Sequence, residues 1–231
     1  VSAKAESDAN GDRRSRIYAA AALYRLTGQI EFATYVEKNI TNIGATEQNG
    51  LHPLKGDWKS IDPLNAMELT QAIYLYAKAQ GPNKQLIDTF KAALTNTSKL
   101  ILDNTGGADD PYLNFMYPGH YSWGSNNARC LWGRVLIMAT DLNALPQTPK
   151  DPRGVIAGYA HFIHGRNPLG FCYLSNMGSA GATDSVDSIY HSWFKYKSVY
   201  DNADGGNLGP APGYLAGGPN GFFSVKRVSP P

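Results

Sequence analysis

The 231-residue sequence predicts an all-α, layered architecture built from helical hairpins. Three observations carry that expectation. Apolar residues recur at spacings of three and four in six separate stretches. Glycine, proline and Asx residues punctuate the gaps between them. A strict period-two alternation of the kind that marks half-buried strands is almost absent.

Taken in order, Ser7-Asp8-Ala-Asn10-Gly-Asp12 can cap a first helix from about Arg14 to Leu26, where Ile17, Ala20, Ala21 and Tyr24 share a face and Thr27-Gly28 ends the run. A second helix, roughly Ile30 to Thr41, places Ile30, Ala33, Val36 and Ile40 on one side, and the two form a hairpin. Gly44 to Ile61 reads as a long loop. Asp62-Pro63 then predicts a third helix, with Asp as N-cap and Pro first, carrying Leu69, Ile73 and Tyr76 to about Ala79. Gly81-Pro82-Asn83 breaks it. A fourth helix runs to about Leu102 with Leu86, Phe90, Leu94 and Ile101 inward, and a loop from Asp103 to Tyr121 follows. The fifth spans about Asn126 to Leu142 with Leu131, Val135, Met138 and Leu142. Asp151-Pro152 caps the sixth, which ends at His164, and no regular structure is expected beyond it. The three pairs have similar lengths, as in half of a helical ring.

Composition narrows the functional classes. The chain is 42% hydrophobic and 17% charged, enough to bury a core. Its net charge of +2 is interspersed, with no basic stripe for a phosphate backbone, so nucleic acid is excluded as a partner. No run approaches the length of a membrane span, and the start lacks a charged-then-apolar leader pattern. Cys130 and Cys172 have neither metal-ligand nor redox spacing and are expected to be free thiols in the core. Against 14 Tyr, 24 Gly and 4 Trp stand few glutamates, the last of them Glu68. That balance suits an aromatic-lined cleft for a neutral ligand. The aromatic and glycine-rich stretch from Tyr159 to Asn220, too long for a simple connection, is where function is expected.

Five segments then resemble glycoside hydrolase family 9, the inverting cellulases. They are Tyr18-Ala-Ala-Ala-Ala-Leu-Tyr-Arg-Leu-Thr-Gly28, Trp123-Gly-Ser-Asn126, His164-Gly-Arg-Asn-Pro-Leu169, Tyr190-His-Ser-Trp-Phe194 and Pro212-Gly-Tyr-Leu-Ala-Gly-Gly-Pro-Asn220. They follow the family's order along nearly the whole chain. The resemblance implies an (α/α)6 barrel, or six-hairpin toroid, of which residues 1–231 form about half to two thirds of the ring plus long loops. Helical hairpins would occupy about residues 12–164 and substrate-cleft loops about 165–231. It also implies β-glucan polysaccharide or cello-oligosaccharide as ligand, no membrane partner, no required cofactor, and a secreted, extracellular enzyme.

An inverting glycosidase needs a general acid at the glycosidic oxygen and a general base for water on the opposite face. In the family the base lies in an Asp-Ala-Gly-Asp motif and the acid is a glutamate some way after Gly-Gly-Pro-Asn. Asp8-Ala-Asn-Gly-Asp12 resembles the base motif in letters, but it leads into a helix that matches a segment well downstream of it. No glutamate follows Glu68. Both carboxylates are therefore expected outside this chain, on a remaining part of the catalytic domain that would also be its partner.

His191 matches a family histidine that bonds sugar hydroxyls, and Trp123 a tryptophan whose indole face stacks on a glucose ring; a loop histidine bonded to backbone and a core tryptophan are the bland alternatives. Trp193, Tyr190, Tyr121 and His120 flank the same motifs. Arg166 can reach sugar hydroxyls with its fork, although its place at a helix end favours pairing with the last carbonyls. Asn126 is either a helix cap or a sugar ligand. His161 and His164, at i and i+3, lack the further ligands of a zinc site. Asp8, Asn10 and Asp12, with Asp62, are read either as caps and turns or as ligands of a structural calcium of the kind the family carries. The leading reading is an endo-acting β-1,4-glucanase; the alternatives are a noncatalytic glycan-binding or assembly subunit and an exo-acting glucanase or glucosaminidase relative.

Overall fold

The structure, a computed structural model, describes residues 9–41, 54–55, 60–64, 67–108, 110–188, 198–203 and 207–221. Six helices run through the described residues: α1 (Ala9–Thr27), α2 (Ile30–Thr41), α3 (Met67–Ala77), α4 (Lys84–Asn104), α5 (Ser125–Asp141) and α6 (Pro152–Ile163). Four short strands accompany them, β1 (Leu54–Lys55), β2 (Ser60–Ile61), β3 (Cys172–Ser175) and β4 (Ser185–Val186). None of the described helices is long and apolar enough to cross a membrane. The chain divides into two compact units, residues 1–100 with 134–149 and residues 101–133 with 150–231.

In the first unit α1 packs against both α2 and α3. Ile17, Ala20, Ala21 and Tyr24 of α1, Ala33, Val36 and Ile40 of α2, and Leu69, Ile73 and Tyr76 of α3 are all buried, as their helical spacing predicts. The Tyr24 and Tyr76 rings lie 5.5 Å apart. Tyr24 donates from its hydroxyl to the Gln80 carbonyl at 2.5 Å, and Tyr76 donates to Glu37 of α2 while accepting from the Asn83 amide at 2.7 Å. Ile30 departs from the expectation: it is 70% exposed, because it is the first residue of α2 and precedes the stretch that meets α1.

Two helix starts also differ from the sequence reading. α1 begins at Ala9, so Asn10 and Asp12 lie inside it, and Asp12 accepts from Arg16 one turn on at 2.7 Å rather than ending the preceding turn. α3 begins at Met67 and ends at Ala77; Asp62 instead makes an Asx turn, its Oδ1 accepting from the Leu64 amide at 3.0 Å. Within the expected loop from 44 to 61, β1 and β2 pair antiparallel, Leu54 opposite Ile61. The Thr97 hydroxyl accepts from the Ile61 amide at 2.8 Å and ties that ribbon to α4. At the start of α4, Asn83 does more than break α3, since its Oδ1 caps the Leu86 amide at 3.2 Å.

In the second unit α6 has the predicted N-terminus: Asp151 accepts from the amides of Arg153 and Gly154, both at 3.0 Å, and Pro152 is the first helical residue. Its C-terminus closes as a Schellman motif, with Gly165 at φ +112°, the Arg166 amide bonded to the His161 carbonyl at 2.9 Å and the Gly165 amide to the Phe162 carbonyl at 3.4 Å. The chain then enters β3, which runs parallel to β4 with Cys172 opposite Ser185. No strand was expected there. The run Phe-Cys-Tyr-Leu is too short for its period to show, and its second partner, residues 213–216, lies far off in sequence. Phe162, Ile163 and Tyr173 form the core of this region, with Cys130 packed against it; neither cysteine forms a disulfide.

Gly158 of α6 lies under Leu113, and an added Cβ would stand 2.3 Å from the Leu113 carbonyl oxygen. Helix propensity alone would make Gly158→Ala stabilising by about 1 kcal/mol. Because the obstacle is backbone, we expect a net destabilisation of about 1–3 kcal/mol instead, read by urea unfolding. The buried tyrosines set the alkaline limit. Burial pushes the Tyr76 phenol up, assisted by its bond to Glu37, and burial pushes Tyr159 well up, with Asp110 adding to it. A raised folded-state value means that the unfolded chain releases these protons first, so stability holds below the ordinary tyrosine range and falls as pH rises beyond about 10. Stability measured from pH 9 to 11 should decline less steeply in Tyr76→Phe than in the parent.

Candidate functional site

The site is built in the second unit, where the corner before α5 meets the glycine-rich segment 213–218. Residues 118–120 form one 3-10 turn, and Tyr121 to Gly124 lead into Ser125 at the start of α5. Gly124 takes φ +77°, a left-handed conformation that lets the chain turn sharply into the helix. Segment 213–216 is stitched to β3: the Ser175 amide donates to the Tyr214 carbonyl at 2.9 Å, and the Ala216 amide to the Tyr173 carbonyl at 2.8 Å. Its far end seats on α5, where the Asn126 amide donates to the Gly217 carbonyl at 3.0 Å and the Asn126 side chain to the Ala216 carbonyl at 3.0 Å. Gly218, at φ +90°, passes so close that a Cβ would stand 2.4 Å from the Asn126 side chain. Only glycine fits both demands.

Beneath this junction lies Arg129, fully buried on α5. Its Nε donates to Asn114 Oδ1 at 3.1 Å and its Nη1 to Asn126 Oδ1 at 2.6 Å. Its guanidinium sits 3.7 Å from the centroid of the Phe162 ring and 5.7 Å from that of Tyr121. Nη2 makes no hydrogen bond among the described residues, and no described carboxylate forms an ion pair with Arg129. Negative charge arrives one residue removed. Asp110 accepts from the Asn114 amide at 3.0 and 2.9 Å and from the Asn114 side chain at 3.4 Å. Burial lowers the guanidinium's hold on its proton, opposed by the neighbouring tyrosine oxygens, Tyr121 first. The hydrogen bonds also fix both amide orientations. An arginine only donates, so Asn114 and Asn126 must turn their oxygens toward it and their NH2 groups away.

The predicted residues divide accordingly. Trp123 is 81% exposed at the corner, and so is a surface aromatic, not core. His120 is half-buried, its Nδ1 accepting from Trp132 Nε1 at 2.8 Å, which places the proton of the neutral ring on Nε2. Trp132 is fully buried among the edges of Phe115, Tyr117 and His120. Tyr121 is half-buried, its carbonyl accepting from the Gly221 amide at 2.6 Å. The structure therefore gathers His120, Tyr121 and Trp123 on one short loop. Arg166 is exposed at the end of α6, where its amide closes the Schellman motif. Asn126 is neither a cap nor turned outward but bonded between Arg129 and Ala216. His164 lies with Nδ1 2.8 Å from the Ala160 carbonyl. Among the described residues no three of His, Cys, Asp and Glu gather closely enough to hold a metal ion.

His191, Tyr190 and Trp193, with Asp8, lie outside the described residues. The chain on either side of residues 189–197 is brought together, since Ser188 pairs with Asn202 and the Ala203 amide donates to the Asp187 carbonyl at 2.9 Å.

One contribution escaped the sequence reading. Arg129 falls three before Trp132 and seven before Leu136, on the buried stripe of α5, and a charge at an inward register is the signal that marks it. Asn167 is buried and its side chain makes four bonds: its Nδ2 donates to the carbonyls of Phe162 and Phe171, both at 2.8 Å, and its Oδ1 accepts from the amides of Leu169 at 3.1 Å and Phe171 at 3.3 Å. It joins the end of α6 to the start of β3. Asn167→Ala would leave those backbone groups unpaired and is expected to destabilise by about 2–4 kcal/mol, measured by urea unfolding.

A family model described as glycosyl hydrolase family 9 matches residues 4–227. Among solved structures, a single mutant of a thermostable endoglucanase from Alicyclobacillus acidocaldarius is 20% identical with a TM-score of 0.62, over 90% of this chain and 34% of that one. AaCel9A in complex with cellobiose-like isofagomine is 20% identical with a TM-score of 0.61, over 90% and 34%. A Zn-binding triple mutant of the GH family 9 endoglucanase J30 is 20% identical with a TM-score of 0.60, over 90% and 32%. The chain thus spans between 32% and 34% of the length of these three proteins. No curated protein matches.

Proposed function

The chain belongs to glycosyl hydrolase family 9, with the all-α fold class of an (α/α)6 barrel fragment, and on that premise we propose that it is part of a secreted, endo-acting cellulase. The reaction is hydrolysis of β-1,4-glucosidic bonds in cellulose or a related β-glucan with inversion at the anomeric carbon. The one observation that carries the chain's own share is Trp123, an indole 81% exposed at a corner whose neighbouring backbone is hydrogen-bonded, the Gly124 carbonyl accepting from the Ala128 amide at 3.1 Å and the Tyr121 carbonyl from the Gly221 amide at 2.6 Å.

A glucose ring presents flat C–H faces and a rim of hydroxyls. An indole face fits the first by dispersion and desolvation, while groups such as His120 and Tyr121 beside it can bond the second. In inversion, a base carboxylate takes a proton from water as the water attacks the anomeric carbon, and an acid carboxyl protonates the departing oxygen. The aspartate and glutamate for these steps belong, in this proposal, to polypeptide outside residues 1–231. Residues 117–126, with the His191 segment, serve to hold and orient the glycan.

Trp123→Ala in the full-length protein is expected to weaken binding of cello-oligosaccharide and to lower kcat/KM by at least fivefold, about 1 kcal/mol. An unchanged value removes Trp123 from the site. The stereochemistry is tested by proton NMR of the first-formed sugar from a β-1,4-glucan. The α-anomer is expected, and initial β-anomer would refute inversion.

A further inference from the structure

We propose that Tyr214 is a second glycan contact, which lengthens the surface that begins at Trp123 along the segment 213–218. The proposal rests on the functional reading above and adds to it a residue from a separate part of the chain.

Tyr214 stands on backbone whose polar groups are all engaged. Its carbonyl accepts from the Ser175 amide at 2.9 Å, its amide donates to the Ser175 hydroxyl at 3.0 Å, and the Gly213 amide before it donates to the Ser175 carbonyl at 2.8 Å. The Ser175 hydroxyl in turn donates to the Ala211 carbonyl at 2.7 Å, so one fully buried residue also holds the approach to Tyr214. Asn176, next along, donates to the carbonyls of Leu208 and Pro210, both at 2.8 Å. The tyrosine ring takes no part in any of this. It is 44% exposed, and among the described residues no hydrogen bond or ring contact engages its side chain. A fixed backbone carrying an exposed ring and an unused hydroxyl suits a sugar, which offers a flat C–H face and a polar rim.

The direction of the ring follows from strand pairing. Leu215 bridges Leu174 antiparallel, so these two share one face of the ribbon, while Tyr214 opposite Ser175 and Ala216 opposite Tyr173 share the other. On that second face Ala216 and Tyr173 join the cluster that also receives Cys130 of α5. Tyr214 therefore lies on the side of the ribbon turned toward α5. Three residues later the same segment reaches the first turn of α5, where the Gly217 carbonyl accepts from the Asn126 amide at 3.0 Å. That is about 10 Å of extended chain from Tyr214, and Trp123 precedes Asn126 by three residues. A ligand that meets both rings is a chain of several sugars, so the pair selects polymer over short fragments.

The full-length protein is titrated by calorimetry with thio-linked cellotriose and cellohexaose, which resist hydrolysis, in the parent, Trp123→Ala, Tyr214→Ala, Tyr214→Phe and Leu215→Ala. Tyr214→Ala is expected to weaken cellohexaose binding about fivefold and to change cellotriose binding less than about twofold, whereas Tyr214→Phe, which keeps the ring, binds both as the parent does. Leu215→Ala, on the opposite face of the ribbon, is expected to bind as the parent does. No loss of cellohexaose affinity in Tyr214→Ala, an equal loss at both lengths, or a matching loss in Leu215→Ala overturns the proposal. A fall in sedimentation mass in Tyr214→Ala with glycan affinity unchanged would assign the residue to a protein contact and overturn it as well. Should Tyr214→Ala fail to fold, Tyr214→Leu, which keeps apolar bulk without a flat face, carries the same expectation. If the parent binds neither ligand, or Trp123→Ala binds both as the parent does, the functional reading falls and the proposal with it. If Trp123→Ala weakens binding and Tyr214→Ala does not, the reading stands and the proposal alone falls.

Discussion

The second unit is arranged around one constraint, a guanidinium that is fully buried and has no described carboxylate in contact. Removing such a charge from water costs several kcal/mol even after relaxation. The surroundings offset this with what they have. Two side-chain oxygens accept charge-assisted bonds, each worth about 1.5–3 kcal/mol, and the face of Phe162 adds about 2 kcal/mol at a desolvated site. These three partners come from three places in the chain, the loop at 114, the first turn of α5, and the last turn of α6. Meeting the needs of one cation therefore fixes the relative placement of all three segments.

The donor-to-acceptor direction runs outward from Arg129 both ways. One branch passes through Asn114 to the Asp110 carboxylate, which also gathers the backbone of its own loop. The other passes through Asn126 to the glycine-rich turn, where Gly218 leaves just enough room for the amide. A branch that ends on a carboxylate supplies compensation of charge, and a branch that ends on a neutral carbonyl supplies only geometry.

What the sequence revealed follows from this difference between apolar and polar order. Helices α2, α4 and α6 were legible because Val36, Ile40, Phe90, Leu94 and the Asp151-Pro152 cap act locally and recur at a fixed period. The errors fall where local and tertiary signals compete. Asp62-Pro63 looks like a helix start, but its carboxylate is satisfied two residues on, in a turn. Asn10-Gly-Asp12 looks like a cap, but Asp12 finds Arg16 one turn along and the helix extends past it. Of the site, the exposed corner was legible through its motif, whereas the partners of Arg129 were not. Nothing near Asn114 or Phe162 in sequence announces that a cation fifteen or thirty-three positions away will lie on them. Polar cores are specified by pairings at long range, and a single sequence carries no periodicity that reports a pairing.

In the proposed function a binding aromatic stands on a corner rather than in a pocket, and this has a physical consequence. A pocket positions its lining by packing on all sides, but it also encloses the ligand and limits it in length. A polymer must lie across an open surface, so the ring that receives it has to be exposed on the face that works and cannot be packed there. Ordering such a corner before the ligand arrives removes from binding the entropy that a mobile loop would lose on contact, roughly 1 kcal/mol for each residue already fixed. Gly218 serves close approach rather than motion: a Cβ there would stand 2.4 Å from the Asn126 side chain, which bonds the Ala216 carbonyl.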